Sequence, residues 1–193
     1  MTLQYRTWPF FLGFLLLGLG LIPSSSDAQD FSAEQTVITR ATKETGTLFH
    51  RPDRWRLEVK GEKHTDISIF RLDKKVIWIL LPKEKQYMAG SLSDEDVPLP
   101  ARIPGEIDRA VVGQEEVEGF MCDKLMVRYS KGDEVGEMVF WVSPQLGVPL
   151  RSEAPDLGWK VELKNIKLGP QPDELFEPPA DYGLFTPPMD ILR

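Results

Sequence analysis

The run from residue 76 to residue 81 constrains the fold of this 193-residue chain most strongly, because all of its side chains are apolar and Pro82 closes it. A short, β-branched run that ends at a proline is typical of a β-strand. Successive side chains of a strand point to opposite faces of the sheet, so both faces of this strand are apolar. One face of an antiparallel sheet usually meets water. The second face here therefore needs another layer of structure or an apolar ligand.

The N-terminal segment has the pattern of a secretory signal peptide. Phe10 to Ile22 is a run of apolar residues and glycine, and Arg6 is the only charged side chain before Asp27. Ser26 and Ala28 are small residues at the positions that signal peptidase reads, so we expect residues 1–28 to be removed and the protein to reach the periplasm. The alternative is an uncleaved anchor, although a bilayer span needs about 20 apolar residues.

The composition limits the classes of function and the number of domains. The chain has 23 Lys and Arg against 30 Asp and Glu, which gives a net charge of −7 and argues against a nucleic-acid-binding protein. We expect one monomeric domain over residues 29–182, followed by an extended or disordered tail over residues 183–193. Cys122 is the only cysteine, so an intrachain disulfide is excluded, and we expect a buried small apolar side chain.

The chain after residue 30 has the pattern of short strands separated by turn signals. Its clearest part is 54–60, where Trp55, Leu57 and Val59 alternate with charged side chains. Further strands are expected at residues 31–40, 66–72, 76–82, 111–118, 124–129, 138–142, 148–151 and 159–168. The alternation slips at Asn165, which indicates a β-bulge. This spacing of strands is typical of an antiparallel meander.

Two segments depart from the strand pattern. Residues 89–110 contain three prolines (98, 100 and 104), which exclude a regular strand ladder there. Long connections in a compact domain are usually functional or disordered, and we interpret this one as a solvated loop or as a lid over the sheet. The proline-rich stretch from Gly169 onward predicts an extended strap or a disordered end.

No motif for catalysis, metal binding or cofactor binding is present in the sequence. Nucleophilic catalysis needs a base beside the nucleophile, and neither His50 nor His64 has a spacing from Cys122 that supports such a pair. These residues also lack the short spacing of a zinc site, and there is no glycine-rich phosphate loop. We therefore expect a binding protein rather than an enzyme, with no catalytic residue, no metal and no cofactor.

Several segments carry a family resemblance through their order and spacing. They are Arg54–Glu58, Phe70–Asp73, residues 76–82 leading to Tyr87, Val112–Phe120, Phe140–Val142, Gly147–Arg151, Val161–Ile166 and Leu175–Tyr182. In this order they resemble the LolA/LolB superfamily of periplasmic lipoprotein carriers, and more closely its lipoprotein-sorting-like relatives. The resemblance implies a mainly β (α+β) fold: one half-open antiparallel β-barrel with a small helix and loop lid over its concave apolar face.

The resemblance also implies a function. Members of the superfamily hold acyl chains on the concave face and move lipoproteins from the inner to the outer membrane, whereas some relatives bind regulatory proteins or lipids. We therefore expect a periplasmic carrier of a lipid or a lipoprotein acyl chain, with inner- and outer-membrane sorting proteins as candidate partners. The alternative is an envelope sensor or protein-interaction module of the same fold, which uses a sheet edge or residues 89–110 without lipid transfer.

The candidate ligand-binding residues are apolar side chains of the predicted strands. They are Trp55, Ile67, Ile69, Trp78, Leu80, Phe140, Val142 and Trp159. Alternation shows which residues of one strand share a face, but it leaves open which face of the sheet is concave.

Overall fold

The computed structural model describes residues 29–61, 65–92, 103, 105–132 and 134–186. Within these ranges the chain forms twelve strands, and two 3-10 helices, Pro155–Leu157 and Asp173–Phe176, are the only helices. The strands are β1 (Phe31–Ile38), β2 (Lys43–Arg51), β3 (Arg54–Lys60), β4 (Thr65–Arg71), β5 (Val76–Leu81), β6 (Gln86–Ser91), β7 (Glu106–Val117), β8 (Phe120–Lys131), β9 (Glu134–Ser143), β10 (Val148–Ala154), β11 (Trp159–Leu168) and β12 (Gly183–Leu184).

All twelve strands belong to one sheet, in the order β12-β6-β5-β4-β3-β2-β1-β11-β10-β9-β8-β7. Every neighbouring pair is antiparallel except β12 and β6, which are parallel. Among the described strands, β7 and β12 have a neighbour on one side only, so the sheet is open. This architecture confirms the predicted half-open antiparallel fold. No helix in the described ranges is both long enough and apolar enough to cross a membrane.

The expected lid falls largely outside the described residues. The flanks of the segment 89–110 belong to β6 and β7, whereas residues 93–102 and 104 lie outside the described ranges, as do the expected signal peptide at 1–28 and residues 187–193. The strand Gln86–Ser91 was not predicted because Ala89 and Gly90 are poor strand formers. It nevertheless pairs with β5 along its whole length.

The predicted β-bulge is confirmed at the centre of the sheet. Ser32 pairs with Lys167 and Glu34 pairs with Lys164, so one residue of β1 faces two residues of β11. Asn165 is one of these two and has a φ of 53°, a left-handed conformation that asparagine adopts more readily than most residues. The bulge explains why the apolar alternation changes phase along β11.

The sheet buries apolar side chains on both faces. Trp55 of β3 stacks on Phe70 of β4 with ring centroids 4.9 Å apart, and both belong to the larger cluster, which we call the main core. Its buried members are Phe31, Ala33, Leu48, Trp55, Leu92, Val117, Cys122, Trp141, Leu146, Val148, Leu150 and Leu163. Ile69 is adjacent to Phe70 and therefore points to the other face, where it packs with Leu80 and Phe176 in a second cluster, the strap cluster.

The second face of β3, β4 and β5 is covered by residues 170–185, which we call the C-terminal strap. Phe176, at the end of the second 3-10 helix, is fully buried between the strap and the sheet. Arg56 donates a hydrogen bond to the carbonyl of Leu175 at 3.1 Å, and Arg71 donates one to the carbonyl of Phe176 at 3.1 Å. The strap therefore supplies the additional layer that the sequence analysis expected over one apolar face of residues 76–81.

The strap is also held by strand pairing near its C-terminal end and by ion pairs. The Gly183 amide donates to the Lys85 carbonyl at 2.9 Å and the Phe185 amide to the Tyr87 carbonyl at 2.8 Å, so β12 lies along β6. Lys74 forms an ion pair of 2.6 Å with Glu177, which also pairs with Arg71. Residues 183–184 of the expected tail therefore belong to the sheet.

Candidate functional site

A cavity of about 230 Å³ lies on the face of the sheet that carries Trp55. Six strands contribute to its lining, from β4 on one side to β10 on the other. The lining residues are Gln35, Leu48, His50, Trp55, Leu57, Phe70, Val148, Pro149, Ser152, Trp159, Val161 and Leu163. Strands β4 and β10 are separated by four strands in the sheet, and their side chains meet in one cavity only because the sheet curves around it. The face that carries Trp55 is therefore the concave one.

Three polar side chains line this otherwise apolar cavity. Gln35 lies on β1, His50 on β2 and Ser152 on β10. His50 stacks on Phe31 with ring centroids 4.7 Å apart, and only 4% of the residue is exposed. Its Nδ1 atom is buried and has no hydrogen-bond partner in the described part of the chain.

The imidazole of His50 is uncharged at neutral pH. Burial lowers the pKa of His50 to about 4, and the nearby carboxylates Asp30 and Asp53 only partly oppose this shift. Desolvation disfavours the charged form of an imidazole, so the direction agrees with the position of the ring in the cavity wall. His50 therefore contributes an uncharged ring to the cavity wall.

Within the described ranges, no Lys, Arg, Asp or Glu lines the cavity. An ionised group that entered it would have no charged partner there, and burying an unpaired charge is costly. The volume of about 230 Å³ is also below the roughly 300–1000 Å³ of most small-molecule pockets. The geometry suits a small uncharged group or part of one aliphatic chain.

The structure divides the eight predicted site residues between the two faces. Trp55 and Trp159 line the cavity. Phe140 pairs with Ser152 and Val142 with Pro149, so both lie on the concave face beside cavity residues, without lining the cavity themselves. Phe140 is 2% exposed and Val142 is half-buried.

The other four predicted residues, Ile67, Ile69, Trp78 and Leu80, lie on the opposite face. Ile69 pairs with Trp78 and Ile67 pairs with Leu80, and all four belong to or pack against the strap cluster. The Lys74 ammonium lies 5.3 Å from the centroid of the Trp78 ring. The eight residues therefore do not form a single surface.

Some cavity residues carried a signal in the sequence and others did not. Leu57 shares a face with Trp55 by simple alternation, and Val161 and Leu163 share a face with Trp159. His50, in contrast, is a lone histidine next to a turn, and nothing in the local pattern places it in a cavity. Its environment depends on the pairing of β2 with β1 and β3, which short-range patterns do not report.

Cys122 does not line the cavity. Cys122 is fully buried in the main core, as expected, and burial raises the pKa of its thiol. Among the described residues, no group of three or more His, Cys, Asp or Glu is arranged to hold a metal ion.

A family model matches residues 34–149, from β1 into β10, and is described as a domain of unknown function, DUF4412. The chain belongs to this family. The matched region includes most of the cavity-lining residues, whereas the C-terminal strap lies outside it. A comparison with curated proteins found no match for this DUF4412 chain.

Solved structures similar to this DUF4412 chain include an uncharacterised conserved protein from Thermus thermophilus, with 17% identity, a TM-score of 0.53, and coverage of 82% of this chain and 90% of that one. A chain in the MucA/MucB complex of Pseudomonas aeruginosa has 16% identity and a TM-score of 0.55, over 78% of this chain but 56% of that one. This chain thus spans little more than half of the latter.

A putative outer membrane lipoprotein-sorting protein domain from Vibrio parahaemolyticus is a more distant match, with 10% identity and a TM-score of 0.34 over 76% of this chain and 89% of that one. The two similarities with TM-scores above 0.5 are similarities of fold. The DUF4412 chain has the LolA-like fold that the sequence resemblance predicted.

Proposed function

We propose that this protein is a binding protein that holds part of an aliphatic chain, from a lipid or a lipoprotein, in the cavity on the concave face. The observation that carries the proposal is the cavity itself: about 230 Å³ of space with a mainly apolar lining, contributed by six strands. Burying a methylene group in such a space stabilises the complex by about 0.8 kcal/mol. The proposed role requires no catalytic residue, metal or cofactor.

The size of the cavity limits what is held. It fits a segment of one chain better than a lipid with several chains, because typical pockets for whole small molecules are larger. The apolar segment at residues 10–22 supports export, so we propose that binding takes place in the periplasm. Transfer of the bound chain to inner- or outer-membrane sorting proteins is a further part of this proposal.

A substitution that fills the cavity tests the proposal. Val161→Phe adds a ring to a lining residue, and Val135→Phe adds the same ring at a position that is 55% exposed. We expect Val161→Phe to weaken binding of a decyl-chain ligand by about tenfold or more, because the ring occupies the space of the chain. Val135→Phe should leave the affinity within about twofold.

The measurement combines native mass spectrometry with titration. The full chain is expressed with its N-terminal segment and purified from the envelope fraction. A ligand-sized mass increment that disappears in Val161→Phe and persists in Val135→Phe supports the proposal. A clean apo mass, together with no change in the tryptophan fluorescence of the protein on addition of a decyl-chain ligand, contradicts it.

A second candidate function is binding of a protein partner at the edge strand β7. This strand has twelve residues and only one neighbour among the described strands, and its side chains Ile107, Val111 and Val112 are 55%, 61% and 50% exposed. Long edge strands with exposed apolar side chains are templates for pairing with another chain. A chain from the MucA/MucB complex, which has a similar fold, supports this candidate.

One pair of variants distinguishes the two candidate functions. Val111→Lys places a charge on the β7 edge, and we expect it to abolish crosslinking to an envelope partner while decyl-chain binding is unchanged. Val161→Phe should have the opposite effect. If Val111→Lys and wild type give the same crosslinked products, this second candidate is wrong.

A further inference from the structure

The C-terminal strap lies on the convex face of the sheet, opposite the cavity, in the way that a peptide ligand lies in a groove. Phe176 is the one buried residue among residues 170–185, and the others are exposed or half-buried. The Phe176 ring packs against Ile69 and Leu80. Extended peptides that bind to folded domains have this arrangement, in which one side chain fills a pocket and its neighbours stay at the surface. Phe176 is therefore the anchor of the strap.

The groove under the strap has the composition of a recognition surface. Beside Ile69 and Leu80, the sheet residues around the anchor are Phe49, Ile67, Trp78 and Tyr87. Arg56 and Arg71 donate hydrogen bonds of 3.1 Å to the carbonyls of Leu175 and Phe176. Tryptophan, tyrosine and arginine are the residue types that dominate the energy of protein interfaces. Because the two arginines bind backbone carbonyls, these contacts do not depend on which chain carries the anchor.

The strap and the groove carry opposite charges. Asp173 of the strap pairs with Arg51. Glu177 pairs with Lys74 at 2.6 Å. The carboxylates of Asp173 and Glu177 are 76% and 42% exposed, and ion pairs as exposed as these contribute little to stability. They do select between partners by charge, and salt weakens them. The groove is therefore suited to an acidic segment.

The groove and its occupant are separate parts of the chain. The groove residues Arg56, Ile69, Arg71 and Leu80 lie within residues 34–149, which the family model matches, whereas the strap follows β11. A segment held by one buried anchor and by exposed ion pairs opens at a lower free energy than the sheet that carries it. When the strap opens, the apolar surface of the groove becomes accessible to another chain.

We infer that the convex face at β3–β6 is a peptide-binding groove, which the strap occupies in cis and which a partner protein enters with an acidic segment that carries one aromatic anchor. The strap itself gives the chemistry of that segment: residues 173–177, with a phenylalanine between acidic residues, are followed by two prolines. Exchange with the strap of a second copy would gain no contact that is absent in cis, whereas a partner protein adds contacts of its own. This inference goes beyond the proposed function, because the cavity lies on the other face.

A fluorescein-labelled peptide with the sequence of residues 170–186, titrated into the full chain, tests the inference. In wild type the strap competes with the peptide at the high effective concentration of an attached segment, so we expect weak binding. Phe176→Ala removes the anchor of the strap and keeps the residues of the groove. We expect this variant to bind the peptide about tenfold or more tightly than wild type. Fluorescence anisotropy measures both affinities.

Two controls accompany this comparison. Leu184→Ala changes a strap residue that is 57% exposed, and it should bind the peptide as wild type does. A peptide that itself carries Phe176→Ala should bind to neither protein, because it lacks the anchor. Circular dichroism confirms that each variant is folded. If the Phe176→Ala protein binds the unmodified peptide no better than wild type does, or if the two peptides bind alike, the inference is wrong.

Hydrogen exchange of the wild-type protein tests the same inference without a variant. The amides of Gly183 and Phe185 donate to carbonyls of β6. We expect them to exchange about tenfold or more faster than the most protected amides of β1 and β11, because the strap opens alone. Exchange at one common rate would mean that the strap opens only when the sheet unfolds, which contradicts the inference. If wild type forms a dimer that Phe176→Ala abolishes, the occupant is the strap of a second copy, and the proposed partner segment is wrong.

Discussion

The two faces of the sheet at β3, β4 and β5 are covered in different ways. On the convex face the chain uses its own C-terminal strap, and Phe176 is buried to 0% exposure there. On the concave face the curved sheet leaves a cavity of about 230 Å³. The comparison shows that a strand with two apolar faces is not by itself evidence for a ligand. Only the face that the protein leaves unfilled has room for one.

The largest expected effect on stability is on the convex face, which the C-terminal strap covers. Phe176→Ala should lower the free energy of unfolding by about 3–5 kcal/mol, because it removes a fully buried ring and leaves a cavity under the strap. Urea denaturation measures the change. Leu184→Ala, at a strap position that is 57% exposed, is the control and should change stability by less than about 0.5 kcal/mol. If Phe176→Ala lowers the free energy of unfolding as little as Leu184→Ala does, the strap does not stabilise the fold.

The next largest effect is a pH dependence that arises on the concave face. The pKa of His50 is lowered from 6.5 to about 4 by burial, so the unfolded chain takes up a proton at a higher pH than the folded chain. The contribution of the neutral His50 ring to the free energy of unfolding is therefore fully present above pH 6.5. It is lost as the pH falls toward 4, by about 3 kcal/mol in total. Urea denaturation at pH 7 and at pH 4.5 should show most of this loss.

His50→Phe should abolish the loss of stability between pH 6.5 and 4.5. A second group loses its contribution in a lower range: Arg71 lowers the pKa of Asp73 from 3.8 to about 2, so that contribution is lost only as the pH falls from 3.8 toward 2. If His50→Phe loses as much unfolding free energy as wild type between pH 6.5 and 4.5, a group other than His50 causes the loss in that range.

A direct comparison of the faces uses the same substitution on each. Leu80→Ala on the strap face should cost about 2–5 kcal/mol, since Leu80 is 3% exposed and tightly packed. Leu57→Ala on the concave face should cost only about 1 kcal/mol, because Leu57 is half-buried and already borders empty space. Thermal unfolding of both variants measures the difference. Equal costs would show that the two faces are packed alike.

The smallest expected effect is that of the charges on the strap. Glu177→Gln should lower the unfolding free energy by less than about 1 kcal/mol, because the carboxylate is 42% exposed and Arg71 keeps Asp73 as a partner at 2.6 Å. The effect should decrease further in 1 M salt. Asp181→Asn, at the exposed pair with Lys85, is the control, and we expect no measurable change. A larger effect from Asp181→Asn would contradict this order.

Much of the sheet could be predicted because its signals are local. The alternation of Trp55, Leu57 and Val59 with charged residues defines β3, and the turns on either side set its limits. The bulge at Asn165 was visible for the same reason. The strand Gln86–Ser91 was missed because Ala89 and Gly90 weaken its local strand pattern, and its position is set by pairing with β5.

The candidate site was harder to predict than the sheet. Alternation could not show that Trp78 and Trp55 lie on different faces, because the relative phase of two strands depends on their register through β4. The cover over Trp78 comes from residues about one hundred positions later in the chain, as the hydrogen bond from Arg71 to Phe176, 105 positions apart, illustrates. Such contacts leave no short-range pattern. The ligand-binding role of the eight predicted residues stays a prediction.

The pairing of β1 with β11 at the centre of the sheet has a consequence for how the protein folds. Phe31 lies opposite Leu168, so among the described strands the two halves of the sheet pair only through residues near opposite ends of the chain. Closing so long a loop carries an entropic cost that must be met before these contacts form. Proteins dominated by such contacts fold in milliseconds to seconds. We therefore expect a slow folder that completes its sheet only after nearly all of its chain has been synthesised.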